Sequence, residues 1–594
     1  MNRCGWYGNT EEFTGLDFEY FISNMKDFIN DPSEEQINAW VDCFHFLQNV
    51  FKQVQSEIDC LNWGLIFEYE LPREGGRRPD VLLLIPGRIV VLEFKMKNMS
   101  TSSDVEQLTG YLRDLRGYHN TINKFNLQVS GSLVITKAKQ QDRIIAMKNK
   151  EIYRITDEVN LGKLLMKYDN IEGYQISCEQ FLTGKYEPLP TILEAASLIM
   201  KNEELPNIRK VNNTNIPLAL REIKQVIQIA KETKTHHLVL IAGVPGAGKT
   251  LIGLQLAHEE KEAIYLSGNG PLVNVLQDYL NDRTLVQALY NYKREFLSYG
   301  NVPPEHIVVF DEAQRAWDSE KMNKPFSEPE LIIEMAKKQK EWSVVVALIG
   351  QGQEIHTGEE SGLKLWNQAI ANGSWFVHSD NRLNGYFPNA QEHYSKSFLN
   401  LNNTLRNHAS IEWHSWVENL FKSNFDSVKP ITPRLMSNGI NLYVSRNLKA
   451  IKNLVSKTYS GTNKQYGYLV SSKGYQKSPL PTVNKKNEYV SYFNHPNSPF
   501  YSSRLNYAAT EFQTQGLELD LGILCWGYDL QFVNDKWVNS HQDNRLKDPF
   551  QIRINSYRVL LTRGRDGTII YIPDDRKLDS IHNLFLSLGV IELY

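Results

Sequence analysis

The chain has 594 residues, about four domains' worth of polypeptide at ~150 residues per domain, and 41% of them are apolar, which excludes a disordered or fibrous chain. Lys and Arg (65) nearly balance Asp and Glu (68), so a globally basic surface is excluded and any nucleic-acid contact needs a local groove. No apolar run reaches the ~18–20 residues of a membrane helix, MNRCGWYGNTEEF lacks the apolar core of a signal peptide, and Cys4, Cys43, Cys60, Cys178 and Cys525 form no CxxC pair that would frame a disulfide or zinc site. A soluble cytoplasmic protein with no membrane partner is expected.

Residues 33–54 carry apolar side chains at helical spacing, with Ser33 and Gln36 placed as an N-terminal cap. Short apolar runs follow at 64–71, 80–85, 88–94 and 131–136, with a helical stretch at 104–117, so residues 1–182 read as an α/β module. Prolines and NNTN mark 183–215 as a linker. Beyond it strands alternate with helices: HLVLIA (237–242), AIYLSG (263–268), HIVVFDEA (306–313) and SVVVALIG (343–350), then YGYLVSS (466–472), LGILCWG (521–527) and TIIYIP (568–573). Such alternation predicts two parallel sheets covered by helices, in domains 216–395 and 396–594. The expected class is α/β.

Within the first module, RRPDVLLLIPGRIVVLEFKMKN (77–98) reads as a hairpin turned at Pro86-Gly87. If it is symmetric about that turn, Asp80 faces Glu93 with Cβ atoms ~4.5–5.5 Å apart, and Lys95 shares the face. Two carboxylates on one face can share a divalent metal, Mg2+ or Mn2+, while a lysine orients water or stabilises charge on phosphorus. Both strands are otherwise nearly all apolar, which argues against ordinary surface salt bridges. Glu68, in FEYELP, reads as an exposed strand residue, with a further metal-side acid as the alternative; His119 reads as structural.

Gly243-Val-Pro245-Gly246-Ala-Gly248-Lys249-Thr250 follows an apolar strand and precedes a helical run. In this G-x-x-x-x-G-K-T pattern the glycines let backbone N–H groups wrap phosphates, Lys249 reaches the outer phosphates and the Thr250 hydroxyl ligates Mg2+. Asp311-Glu312, at the end of a second apolar strand, supplies a metal-holding acid and a carboxylate to polarise the attacking water. A nucleoside triphosphate and Mg2+ are the cofactors this pairing calls for, and the resemblances given below make the nucleotide ATP. Gln225 and Gln228 stand where an adenine-reading glutamine could, but on an amphipathic helix they read as solvent-facing.

Further stretches resemble superfamily 1 helicases in order. ALIGQGQEI (347–355) is similar to their motif III, with Gln353 at the phosphate-sensing position; LNNTLRN (401–407) resembles motif IV and offers Arg406. TEFQTQGLELD (510–520) resembles motif V, with Gly516 and Glu518 on matching positions, and YRVLLTRGRDG (557–567) resembles motif VI, with Arg563 at the γ-phosphate-contacting position and Arg565 as the neighbouring alternative. IYLSGNGPLVNVL, VPGAGKTLIGLQLA and TQGLELD resemble the Schlafen group 3-like helicase domain, over roughly 210–575. In the N-terminal module P-D…E-x-K resembles the PD-(D/E)xK nuclease signature, and Gln107-x-x-x-Tyr111 resembles the Q-x-x-x-Y element of RecB-type nucleases, whose residues face the active site. These resemblances imply a PD-(D/E)xK nuclease followed by two RecA-like domains, similar to bacterial nuclease–helicase immunity proteins acting against phage. They imply ATP-driven translocation and metal-dependent cleavage of nucleic acid, DNA in preference to RNA, with a homo-oligomer allowed. The alternatives are an RNA-cleaving effector with an ATPase switch and a remodeller whose nuclease module is inactive.

Overall fold

In this computed structural model the described residues are 3–72, 74, 76–138, 144–147, 152–169, 172–188, 190–203, 215–243, 247–313, 326–350, 359–401, 409–459, 462–474, 480–541 and 548–594. The chain divides into two compact units: residues 1–188, 430–464 and 591–594 form one, and 189–429 with 465–590 the other.

The first unit opens with β1 (Trp6–Asn9) and α1 (Glu34–Val54). The Ser33 side chain accepts a 3.2 Å bond from the Gln36 amide at the start of α1, a cap worth about 1 kcal/mol. Then come β2 (Gly64–Phe67), β3 (Val81–Ile85), β4 (Arg88–Lys95), α2 (Ser102–Tyr118), β5 (Gln128–Ile135), β6 (Ile145–Met147), β7 (Ile152–Ile155) and α3 (Glu158–Met166). The strands lie in the order β1-β2-β3-β4-β5-β7-β6. β3 and β4 are antiparallel with Val81 opposite Leu92 and Ile85 opposite Arg88, the symmetric register expected of the Pro86-Gly87 turn. Both faces of this sheet are covered, which explains why its strands read as unbroken apolar runs. Val81, Leu83 and Ile85 meet Phe44, Leu47 and Phe51 of α1 on one face, whereas Leu82 and Leu84 meet Leu108, Tyr111 and Leu112 of α2 on the other. Each such side chain contributes ~1.5–3 kcal/mol on burial. By the same alternation Glu93 and Lys95 of β4 stand on the α2 face.

In the second unit α4 (Ile216–Thr233) leads into β8 (His236–Gly243), α5 (Lys249–Glu259), β9 (Ala263–Ser267), α6 (Gly270–Leu280), β10 (Val286–Ala288), β11 (Ile307–Asp311), β12 (Ser343–Gly350), β13 (Trp375–Ser379), β14 (Glu392–Ser395) and β15 (Asn400–Leu401). The sheet order is β10-β9-β11-β12-β8-β13-β14, with β15 added on β8, and every pair is parallel. This is the RecA-like order, which brings the carboxyl ends of β8 and β11 to one edge, where open parallel sheets bind their ligands. β13 and β14 escape the sequence reading because WFVHS and EHYS mix aromatic and polar residues in short runs.

The chain then returns to the first unit with α7 (Ile431–Ser437), β16 (Asn441–Ser445) and α8 (Leu448–Thr458). The sequence reading groups these residues with the C-terminal domain; contacts group them with the N-terminal module. The second unit resumes with β17 (Tyr466–Val470), α9 (Lys486–Asn494), β18 (Ala508–Thr510), β19 (Leu519–Cys525), α10 (Pro549–Leu561) and β22 (Gly564–Tyr571), with β20 (Leu530–Val533) and β21 (Lys536–Asn539) forming a separate hairpin. β18, β17, β19 and β22 pair in that order, all parallel, so the second predicted parallel sheet is also present. β23 (Ile591–Glu592) pairs with β16 in the first unit. Within the second unit the two sheets are tied by helix contacts: Asn274 of α6 donates to the Tyr489 hydroxyl of α9 at 2.6 Å, and Asn269 donates to the Gln515 carbonyl at 2.6 Å.

Candidate functional site

Asp80 sits one residue before β3, and its carboxylate accepts the Phe94 amide at 2.7 Å, which pins it beside Glu93 across the hairpin. Glu93 is 1% exposed. Its Oε1 accepts from Lys95 at 2.7 Å, while its buried Oε2 has no hydrogen-bond partner. Burial pushes the Glu93 carboxyl up to about 7, with Asp80 raising it further and Lys95 opposing. Burial likewise raises Asp80 to about 6 against the pull of Lys95. Between them the two acids raise Lys95 above its ordinary value, although burial works the other way. From α2, Gln107 donates to the Tyr111 hydroxyl at 3.2 Å, and that hydroxyl donates to the Arg78 carbonyl at 2.9 Å, two residues before Asp80. The structure thus brings Asp80, Glu93, Lys95, Gln107 and Tyr111 to one place.

Glu68 departs from the expectation of an exposed strand residue. It lies just past β2 with φ 52° and is buried, because the left-handed step turns it out of the strand alternation. It accepts from the Trp40 indole at 2.9 Å and from Arg78 at 2.8 Å, and its charge also raises Asp80. Trp40 and Arg78 were not legible as site residues: their partner is reached only through the turn after β2. His119 is fully buried and stacks on Phe181 at 4.0 Å, a core role as expected.

Among the described residues no three His, Cys, Asp or Glu side chains form a metal-ligand set. The carboxylate pair nonetheless fits a divalent cation: two acids share one buried face, both are raised by lost solvation, and one buried oxygen is unpartnered. A bound cation would reverse each of those costs.

At the phosphate loop, β8 ends at Gly243 and α5 begins at Lys249, behind Gly248 in a left-handed conformation (φ 90°). Lys249 donates to the Gly243 carbonyl at 2.8 Å, which holds its amine at the end of β8. Asp311 closes β11 and is 4% exposed. Burial and the neighbouring Glu312 push it up to about 6, while Tyr265 and Lys249 oppose the rise. Tyr265, fully buried on β9, donates to Asp311 at 2.5 Å. It holds the expected magnesium ligand Asp311, a contact the sequence conceals because the β9–β11 register is needed to place it. Glu312 takes φ 57°, which turns its side chain away from the line of the strand. Gln225 and Gln228 are exposed, and Gln228 bonds Glu232 along α4, as expected of a solvent face.

Gly516, with φ 78°, lies against Leu272 of α6, and Glu518 is half-buried just before β19. Arg563 is the residue expected at the γ-phosphate-contacting position. It is 8% exposed, and its guanidinium donates to the carbonyls of Val559 (2.9 Å), Leu517 (3.3 Å) and Thr514 (3.4 Å). Here it braces the turn that carries Gly516. Arg565 is half-buried on β22. Pro245, Gly246, Gln353 and Arg406 lie outside the described residues.

The family model of the Schlafen group 3, DNA/RNA helicase domain matches residues 236–574, more than half of the chain and all of the strands just described from β8 to β22. The chain belongs to that family. The matched region is therefore a helicase-type, ATP-using domain. No curated protein matches the chain. Among solved structures, the Pif1 helicase from Bacteroides in complex with ADP-AlF3 and ssDNA is 11% identical, with 62% of this chain and 97% of that one covered and a TM-score of 0.28. The DUF1998 helicase MrfA bound to DNA and AMPPNP is 10% identical over 68% of this chain and 55% of that one, with a TM-score of 0.28. The Pif1 helicase from Candida albicans is 11% identical over 62% and 98%, with a TM-score of 0.27. The assignment rests on the family match alone. Among the described residues no helix is long and apolar enough to cross a membrane.

Proposed function

We propose that the chain is an ATP-driven nucleic-acid motor joined to a metal-dependent phosphodiesterase, with DNA as the substrate and phage defence as the setting. One observation carries the nuclease half: two carboxylates, Asp80 and Glu93, sit beside Lys95 in an apolar hairpin, with one buried oxygen of Glu93 unpartnered. Burying paired like charges is costly, and nothing in the packing of the hairpin requires it. A divalent cation held by the two acids would polarise the phosphoryl oxygen and make a bound water more acidic.

The chain's own groups divide the remaining work. Asp80 is oriented by the Phe94 amide, and Glu93 is oriented by Lys95. The Lys95 ammonium, held protonated between the acids, offsets negative charge developing on the phosphate. Gln107 and Tyr111 fix the backbone at Arg78 and with it the approach to Asp80. In the motor, Lys249 would counter phosphate charge, Thr250 and Asp311 would hold Mg2+, and Glu312 would direct the attacking water. The motor is the second unit, residues 189–429 with 465–590. The defence role rests on the likeness to bacterial nuclease–helicase immunity proteins, and a fold does not by itself carry a biological role.

The test is purified protein with labelled single- and double-stranded DNA and RNA, with and without ATP, Mg2+ and Mn2+. Asp80→Ala and Glu93→Ala should each abolish cleavage and leave nucleic-acid-stimulated ATP hydrolysis intact; Lys95→Ala should slow cleavage and spare metal binding. Cleavage surviving in the Asp80/Glu93 double variant would sink the assignment. Cleavage confined to RNA would favour the effector reading, which the DNA/RNA family description keeps open.

A further inference from the structure

Helix α2 presents two sets of contacts. Gln107 and Tyr111 reach the carboxylate site, while Glu106, Arg113 and Asp114 meet residues 439–464, far along the chain but within the same unit. The Tyr443 hydroxyl of β16 donates to Glu106, 337 residues away in sequence, and both side chains are buried. Arg113 donates to the Gly439 carbonyl at 3.2 Å and to Asp114 at 2.7 Å. Gly439 has φ 82°, and a Cβ there would lie 2.7 Å from the Arg113 Cβ, so only glycine lets the two backbones approach this closely.

Asp114 is fully buried and pairs with Arg77 at 2.5 Å; Arg77 also meets Glu74 at 3.1 Å and lies over the Tyr111 ring at 5.1 Å. Lys464 completes this group, 3.6 Å from Glu74 and 3.8 Å from Asp114. Arg77 is three residues before Asp80 and adjacent to Arg78, which holds Glu68 and receives the Tyr111 bond. The charge network therefore sets both sides of the approach to the acid pair: the backbone leading to β3 and the helix lying over it.

We propose that Lys464 and Tyr443 are positioning residues of the Asp80–Glu93 site, so that the site is completed by the 430–464 segment rather than by the N-terminal module alone. Lys464 is followed directly by Gln465 and β17 of the motor, so the side chain that completes the network stands at the chain's crossing between units. As a statement about nuclease activity this rests on the function proposed above; as a statement about what holds the acid pair it does not.

The test uses the full-length chain with Lys464→Met, Lys464→Arg and Tyr443→Phe. In metal-free buffer, amide hydrogen exchange over residues 77–95 and 102–118 should speed up about tenfold in Lys464→Met and Tyr443→Phe, and Lys464→Arg should restore it. Mn2+ affinity, read by calorimetry, and cleavage kcat should fall ~10–100-fold, the scale for residues that orient metal ligands. KM for nucleic acid and ATP hydrolysis should stay within about twofold. Unchanged exchange and Mn2+ affinity in both variants would overturn the inference. If the wild type cuts no nucleic acid, the nuclease reading fails by itself, and exchange with Mn2+ binding still decides whether these residues position the pair.

Discussion

Replacing Asp80 by Asn should stabilise the metal-free protein at alkaline pH. Asn is nearly isosteric and its side-chain oxygen can still accept the Phe94 amide, so the chief loss is one buried charge. A rise of the Asp80 carboxyl from the ordinary 3.8 to about 6 means that the folded protein holds the proton more tightly than the unfolded chain. At 1.36 kcal/mol per pH unit the ionised form then costs at most about 3 kcal/mol of stability. Below pH ~4 both states are protonated and the cost is absent; it grows between pH ~4 and ~6 and is complete above that. Glu93, raised to about 7 partly by Asp80, is relieved by the same change. Hydrogen exchange at the β3 and β4 amides in chelator, at pH 8 and pH 4, reads the difference. Asp80→Asn should gain up to about 3 kcal/mol at pH 8 and almost nothing at pH 4. Added Mn2+ should stabilise the wild type and leave the variant unmoved. A variant less stable than wild type at pH 8, or equally shifted at both pH values, would refute the view that this pair is a buried charge cluster awaiting a cation.

In the motor, Lys249→Ala should abolish ATP hydrolysis because it removes the ammonium at the phosphate loop, and Glu312→Gln should bind ATP but turn it over very slowly; full turnover by the Gln variant would remove Glu312 from the catalytic role. Tyr265→Phe deletes a hydrogen bond to a buried carboxylate, worth ~1.5–3 kcal/mol, so ATPase kcat/KM should fall about 10–100-fold with the Mg2+ requirement shifted upward; wild-type magnesium titration would show that Tyr265 does not hold Asp311. Arg563→Ala should lower ATPase kcat by ~10³ if the side chain reaches phosphate during turnover. The carbonyl contacts seen here add a second expectation, a lower Tm, and loss of kcat with unchanged Tm would show that bracing is not its role.

Much of the architecture was legible because hydrophobic periodicity is local. The hairpin register followed from apolar strands on either side of a Pro-Gly turn, and Val81 does face Leu92. The phosphate loop and the acid pair at the end of β11 announced themselves because phosphate binding needs glycines, a lysine and a hydroxyl at fixed spacing next to a strand. Other features depend on which distant segments meet. Tyr265 reaches Asp311 only because β9 and β11 are neighbours in parallel register, and IYLSG carries no sign of it. Glu68 turns inward only through its left-handed backbone, and the Arg563 guanidinium meets carbonyls that a motif reading leaves invisible. Tyr443 and Lys464 join α2 across hundreds of residues, a pairing chosen by tertiary contact and by charges that, once buried, must find one another. Local pattern therefore determined the strands, the loop and the acids; which side chains orient those acids was decided by packing, since a buried polar group takes the partner that the fold brings within reach.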